Sequence, residues 1–259
     1  MKTRLDRLLV EKGLSPDIKK AAALIMAGAV TVDGRPCPHA GSQIASDADV
    51  AVIVSADDYV SRSGAKLEGA LDDFAVKLDG LECCDVGSST GGFTQCMLRR
   101  GAAKVYAFDV GKNLMHERVA RDPRVKLIED YNFRRFSAGS VFGIHDVPSD
   151  VDKVVDAARM CRFVAADVSF ISAVKILYAL ADGMKAAFEA LVLVKPQFEL
   201  PASKVPGGVV RDEKSAAEAV EKVRAAASAL GFQILGAAPS RLKGARGNRE
   251  YFLYLDRKR

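Results

Sequence analysis

Apolar residues recur at helical and strand periods along the chain, and the pattern changes character near residue 55. Leu5, Leu8 and Leu9 share one face of a helix predicted over residues 3–13. Thr3 and Asp6 are spaced as a capping box, and Gly13 stands as the stop. Ser15-Pro16-Asp17 opens a second helix, with Ile18, Ala22 and Ile25 inward and Gly28 at its end. A strand over 29–32 runs into the turn Asp33-Gly34, and another fits 50–54. Residues 1–55 thus form a small α+β unit, joined by a linker over 56–64 to a larger domain over 65–259.

In the larger part, short apolar strands alternate with amphipathic helices. Strands fit 82–86, 104–110, 125–128, 162–167 and 191–195. Helices fit 65–78, 92–100, 171–181 and 215–230. Two last strands, 232–237 and 250–255, close the chain around a basic loop. The alternation predicts an α/β fold, a mostly parallel seven-stranded sheet with helices on both faces and an antiparallel closing pair. Residues 137–160 read as an inserted loop, with a helix over 149–160.

Composition narrows the class. The chain has 259 residues, 49% of them hydrophobic and 27% charged, which excludes wholesale disorder. The net charge of +5 is mild and compatible with nucleic acid without requiring it. Five cysteines, an odd number with no C-x-x-C among them, suggest neither a disulfide framework nor a zinc site. No metal, signal peptide or membrane-spanning segment is expected, so a cytoplasmic protein without a membrane partner is.

The candidate chemistry begins at Asp85-Val86-Gly87-Ser88-Ser89-Thr90-Gly91-Gly92-Phe93-Thr94. This glycine-rich turn leaves an apolar strand and opens a helix. Glycines there let a ligand lie against the backbone at the carboxyl edge of a sheet. A dinucleotide loop requires glycine where Ser89 stands, and a Walker loop requires Gly-Lys-Ser/Thr where Gly92-Phe93-Thr94 stands, so both fail. Asp85 and Asp109 end consecutive strands, and an acid there can accept both ribose hydroxyls. That combination suits S-adenosylmethionine, which carries a ribose and a cationic sulfonium but no phosphate.

The loop resembles the methyl-donor loop of FtsJ-type ribose methyltransferases. Further segments extend the resemblance in order across nearly the whole chain: Ser61-Arg62-Ser63-Gly64 within 59–67, Asp109-Val110-Gly111, Asp167-Val168-Ser169-Phe170, Lys195-Pro196-Gln197-Phe198, Gly207-Gly208-Val209-Val210-Arg211-Asp212 and Gly247-Asn248-Arg249-Glu250-Tyr251. The ordered set resembles the TlyA family, often labelled hemolysins, which are ribosomal RNA 2′-O-methyltransferases. The resemblance implies an RNA-binding module of the ribosomal-protein S-four type before a Rossmann-like methyltransferase domain. It also implies a catalytic centre of Lys66, Asp167, Lys195 and Glu250. A ribose hydroxyl must be aimed at the methyl group and lose its proton. Lys195 is assigned as the hydroxyl-facing group and base, its pKa lowered by a second lysine and by burial, with Lys66, Asp167 and Glu250 orienting it.

Positions follow for the remaining contacts. Asp85 and the loop from Gly87 to Thr94 should hold the methionine part of S-adenosylmethionine, Asp109 with Val110 its ribose, and Glu129 or Asp130 its adenine amine. Arg4, Arg7, Lys12, Lys19 and Lys20 present bases on the first two helices. Arg241, Lys243, Arg246 and Arg249 form an acid-free basic loop just before Glu250, and Arg62 and Arg211 add to it. Such a loop can grip the phosphates of ribosomal RNA or a ribosomal subunit. The family often carries a tryptophan near Tyr59; this chain has none. The short amino end resembles the family's short form, associated with a large-subunit cytidine. Three rival readings compete: an RNA-binding protein with an inactive methyltransferase fold, a membrane-damaging hemolysin, and a pseudouridine synthase sharing the same module.

Overall fold

Leu5, Leu8 and Leu9 close on Ala21, Leu24, Ile25 and Val30 to make a small core of their own. The computed structural model describes residues 2–37, 39–52, 59–137 and 149–258. Its first unit runs β1 (Lys2–Arg4), α1 (Leu5–Glu11), α2 (Ile18–Met26), β2 (Val30–Val32), β3 (Arg35–Pro36), β4 (Gln43–Ala45) and β5 (Val50–Val52). β1 pairs with β4, and β2 lies between β3 and β5.

Two local expectations fail here, each for a visible reason. Thr3 faces Ile44 in the β1–β4 ladder, so it cannot cap a helix. Asp6 is buried instead and accepts from the Arg4 guanidinium at 2.6 Å and the Arg7 N–H at 2.9 Å. In α2 the capping residue is Asp17, which accepts the Lys20 N–H at 2.7 Å. The inward face is therefore Ala21, Leu24 and Ile25, and Ile18 points to solvent.

The larger unit follows as α3 (Arg62–Asp73), β6 (Glu82–Val86), α4 (Gly92–Arg99), β7 (Lys104–Phe108), α5 (Glu117–Ala120), β8 (Val125–Ile128), α6 (Ser149–Ala158) and β9 (Phe163–Ala166). It ends with α7 (Ala173–Gly183), β10 (Phe188–Val194), α8 (Pro196–Glu199), α9 (Glu213–Ala229), β11 (Gln233–Pro239) and β12 (Tyr251–Arg257). The seven strands lie in the order β11-β12-β10-β9-β6-β7-β8. The five strands from β10 to the β8 edge are parallel, and β12 runs antiparallel to both its neighbours. α3 and α4 bury Leu67, Leu71, Phe93 and Met97 on one face, while α6, α7 and α9 bury Val155, Leu177 and Val223 on the other. Each such side chain contributes roughly 1.5–3 kcal/mol, so both layers are held firmly to the sheet. α6 occupies the expected helical part of the insertion; residues 138–148 of it lie outside the described residues.

Strand order reverses between β6 and β9, where β6 turns toward β7 on one side and β9 leads to β10 on the other. In an open α/β sheet a ligand crevice forms at the carboxyl ends of such a pair. The register fixes what meets there. Val86 pairs with Ala166, so Gly87 and Asp167 emerge together. Val194 pairs with Tyr251 across an antiparallel ladder, so Lys195 and Glu250 leave the sheet side by side.

Candidate active site

Over this edge lies a cleft of about 940 Å³. Gly87, Ser88, Ser89, Thr90, Phe93, Asp109 and Val110 line one side of it, and Lys66, Asp167, Lys195 and Glu250 line another. Gly87 has φ +87°, and a Cβ on it would stand 2.5 Å from the Asp167 carbonyl oxygen. Any side chain there would push the loop off the sheet. The Gly87 and Ser88 N–H groups donate to the Phe108 carbonyl, which ties the loop to β7. Asp109 accepts the Ser89 N–H at 2.8 Å and the Gly111 N–H at 2.7 Å, and so stands fixed at the cleft lip. Ser88 Oγ, which is buried, has no partner among the described residues. A backbone cradle, a fixed carboxylate and an orphaned hydroxyl suit a ligand with ribose and amino-acid groups, so the residues fit S-adenosylmethionine.

Four charged groups form two ion pairs. Lys66 Nζ reaches Glu250 Oε2 at 2.7 Å, with the carboxylate only 2% exposed. Lys195 Nζ reaches Asp167 Oδ1 at 2.6 Å and donates to Ser169 Oγ at 2.9 Å. The pairs also feel each other. Burial opposes the Asp167 charge, but Lys195 and then Lys66 outweigh it and hold the carboxyl below the usual range. Burial likewise pushes Lys195 down, yet Asp167 and Glu250 outweigh it and hold the ammonium above its ordinary value. Lys195 is therefore a charged donor near neutral pH. The expectation that a second lysine lowers Lys195 meets a different arrangement here, in which each amine has its own carboxylate.

The structure places several of the expected donor-site residues away from the cleft. Asp85 is fully buried beneath the loop and does not line the cleft. Its Oδ2 accepts the Thr94 hydroxyl at 2.6 Å, so Thr94 also faces inward. Gly91 packs against Met115 and Val119, and Gly92 against Ser61 and Ser63; neither reaches the cleft. Glu129 accepts the Asn113 and Leu114 N–H groups, and Asp130 pairs with Lys112 at 2.8 Å. Both acids hold the neighbouring loop rather than lining the cleft. Leu114, Tyr131, Asn132 and Phe133 line that side instead, and sequence reading missed them.

The opposite wall carries Ser169, Phe170, Gln197 and Phe198. The Phe170 and Phe198 rings lie 5.2 Å apart, and Phe170 is 77% exposed with φ +64°. These residues stand in segments that carry the family resemblance, which was the available signal. Glu199 is buried behind them, accepting from Ser172 Oγ and the Ala173 N–H at 2.6 Å each. It fixes α8 to the start of α7, and thereby the wall. Asn248, also buried, accepts the Val210 N–H and donates to the Gly208 and Ala245 carbonyls. That clasp sets the chain entering Glu250.

The basic loop is less free than expected. Arg241 pairs with Asp73 at 2.6 Å, and Arg249 with Glu213 at 2.6 Å. Arg246 donates to His39 Nδ1 at 3.0 Å and to the Gly207 carbonyl at 2.5 Å. Lys243 and Arg211 are exposed. In the first unit Arg4 is paired with Asp6, while Arg7, Lys12 and Lys19 are exposed and Lys20 is half-buried. Arg62 is exposed at the start of α3, its stem against Gly28. At the expected tryptophan position, the Arg99 guanidinium covers the Tyr59 ring at 4.6 Å. Among the described residues no helix is long and apolar enough to cross a membrane, and no three side chains form a metal site.

Comparison with known proteins agrees with this geometry. The model of the FtsJ-like methyltransferase matches residues 59–257, and that of the S4 domain matches residues 3–50. The chain is 38% identical over 256 residues to the 16S/23S rRNA (cytidine-2′-O)-methyltransferase TlyA of Mycobacterium tuberculosis, covering 98% of this chain and 90% of that protein. It is 35% identical to hemolysin A of Brachyspira hyodysenteriae, over 97% of this chain and 98% of that one. A solved structure described as a hemolysin from Streptococcus thermophilus superposes with TM-score 0.70 at 34% identity, covering 99% of this chain and 89% of that one. The chain therefore belongs to the FtsJ-like methyltransferases of the TlyA family, with an S4 domain at its amino end.

Proposed function

We propose that this protein transfers the methyl group of S-adenosylmethionine to the 2′-hydroxyl of a cytidine ribose in ribosomal RNA, in the cytoplasm where ribosomes are assembled. The observation that carries this reading is the convergence of the Lys66–Glu250 and Lys195–Asp167 pairs on one cleft beside the glycine loop.

When bound, S-adenosylmethionine supplies an electrophilic methyl group on a cationic sulfur. The Gly87–Thr90 backbone, Ser88 Oγ and Asp109 hold that molecule. Lys195, charged and anchored by Asp167 and Ser169, donates its remaining N–H to the ribose oxygen. That contact directs an oxygen lone pair across the cleft and stabilises the oxygen as its proton passes to cleft water. Lys66 and Glu250 hold the neighbouring wall, and Glu250, after Asp167, keeps Lys195 protonated. Alignment of this kind is worth about 7–11 kcal/mol, enough to act on a poor nucleophile without a strong base. Lys243, Arg211 and the exposed bases of α1 and α2 meet RNA phosphates.

The test is transfer of labelled methyl groups to purified ribosomal subunits, followed by nuclease digestion and identification of the labelled nucleoside. Label in 2′-O-methylcytidine supports the reading. Label on a base, or RNA-independent lysis of membranes by the purified protein with no transfer, refutes it.

A further inference from the structure

The S4 domain does more than accompany the catalytic domain: Ala23 and Met26 of α2, Ala27 just beyond it, and residues 39–42 line the same cleft as Lys195 and Asp167. These residues therefore share one cleft with Lys195. The Arg246–His39 hydrogen bond joins residues 2–52 to residues 59–258 directly at this cleft.

The contact is built to be exchangeable. Arg246 sits at φ +60°, a left-handed conformation that a side chain other than glycine adopts at some cost. Its guanidinium takes an imidazole nitrogen and a backbone carbonyl, both neutral acceptors. Burial, aided by the adjacent Arg246 charge, holds His39 below the ordinary histidine range, so the ring is uncharged and Nδ1 is free to accept. A phosphate oxygen is an anion and a stronger partner for guanidinium than either. Arg246 is exposed on the loop just before Glu250, where RNA backbone would pass.

Resting on the ribosomal RNA reading above, we propose that Arg246 and His39 form a latch that keeps the S4 domain over the catalytic cleft in the free protein. An RNA phosphate opens it by taking Arg246 from His39. The latch separates non-productive closure from RNA-bound opening, so the cleft admits a target nucleotide only when phosphate is present beside it.

Two variants that break the same bond should then act in opposite directions. His39→Ala removes the acceptor but leaves Arg246 free for phosphate. Arg246→Ala removes both the latch and the phosphate contact. Förster transfer between dyes on α2 and α9 of the full chain, without RNA, should show greater separation in both variants than in wild type. Ribosomal RNA binding at fixed salt should tighten about tenfold in His39→Ala, the effect of one charge-assisted hydrogen bond no longer competing, and weaken in Arg246→Ala. Only Arg246→Ala should flatten the salt dependence. Unchanged dye separation in His39→Ala, or RNA binding that weakens equally in both variants, overturns the latch. The outcome is distinct from failure of the functional reading, which would appear as wild-type protein that does not methylate RNA.

Discussion

Asp85 offers a test of how the site is built, because it is a carboxyl group with no exposure to water. Burial pushes it up to about 7, against the Thr94 hydroxyl, with Asp167 and Asp109 adding to the rise. Its Oδ1 is buried without a partner among the described residues. In the unfolded chain the group ionises near 3.8. Between these values the folded protein holds a proton that the unfolded chain has released. Stability from this group is therefore greatest at low pH and falls as pH rises from about 4 to about 7. At 1.36 kcal/mol per pKa unit the loss approaches about 4 kcal/mol, of which about 3 kcal/mol develops between pH 5 and pH 8. Asp85→Asn keeps the shape and an oxygen for Thr94 but carries no charge. Urea unfolding followed by circular dichroism at pH 5 and pH 8 should show the variant gaining on wild type by about 3 kcal/mol across that interval. All other titrating groups are shared, so they cancel in the difference. An offset that is the same at both pH values would refute the assignment of a neutral, buried Asp85.

Other perturbations follow from the same geometry. Lys66→Ala leaves Glu250 buried and unpaired and should lower stability by about 3–5 kcal/mol, whereas Lys66→Met with Glu250→Gln should recover most of it; denaturant midpoints distinguish them. Gly87→Ala forces a Cβ against the Asp167 carbonyl at φ +87°, so calorimetric titration should find S-adenosylmethionine binding lost, with stability reduced by about 1–3 kcal/mol. Ser169→Ala removes one of the two acceptors that hold Lys195. It should lower kcat about tenfold while leaving donor affinity unchanged, and Ser169→Thr should restore part of the rate. A matched fall in donor affinity would place Ser169 in donor binding instead.

The alternation of strands and helices was legible because each buried strand is a short apolar run between helical stripes. Five parallel strands and an antiparallel closing pair followed directly. Boundaries were less legible, since they depend on ladders that periodicity does not display. Thr3 has the spacing of a cap and is held in a strand by Ile44 across the sheet. α3 begins at Arg62 rather than at residue 65, and its Gly64 lies under the Tyr59 ring. The four charged centre residues could be named from the ordered motifs, and the β10–β12 register explains why two of them, Lys195 and Glu250, meet. Their protonation could not be read in the same way. Whether Lys195 is lowered by a second amine or raised by two carboxylates depends on who pairs with whom, which is a property of the packed site. Asp85, Glu129 and Asp130 show the same limit: strand-end acids read as ligand contacts, yet backbone N–H groups, a hydroxyl and a lysine take them first.

The central claim is that an ammonium anchored by Asp167 positions a ribose oxygen for methylation. Single-turnover methyl transfer to ribosomal subunits by Lys195→Met, with S-adenosylmethionine binding measured on the same preparation, addresses it most directly. The rate constant should fall at least about 10²-fold with donor affinity within about twofold of wild type, as removal of one preorganised donor at the reacting oxygen requires. A variant that transfers methyl groups to the ribose at the wild-type rate would contradict the account.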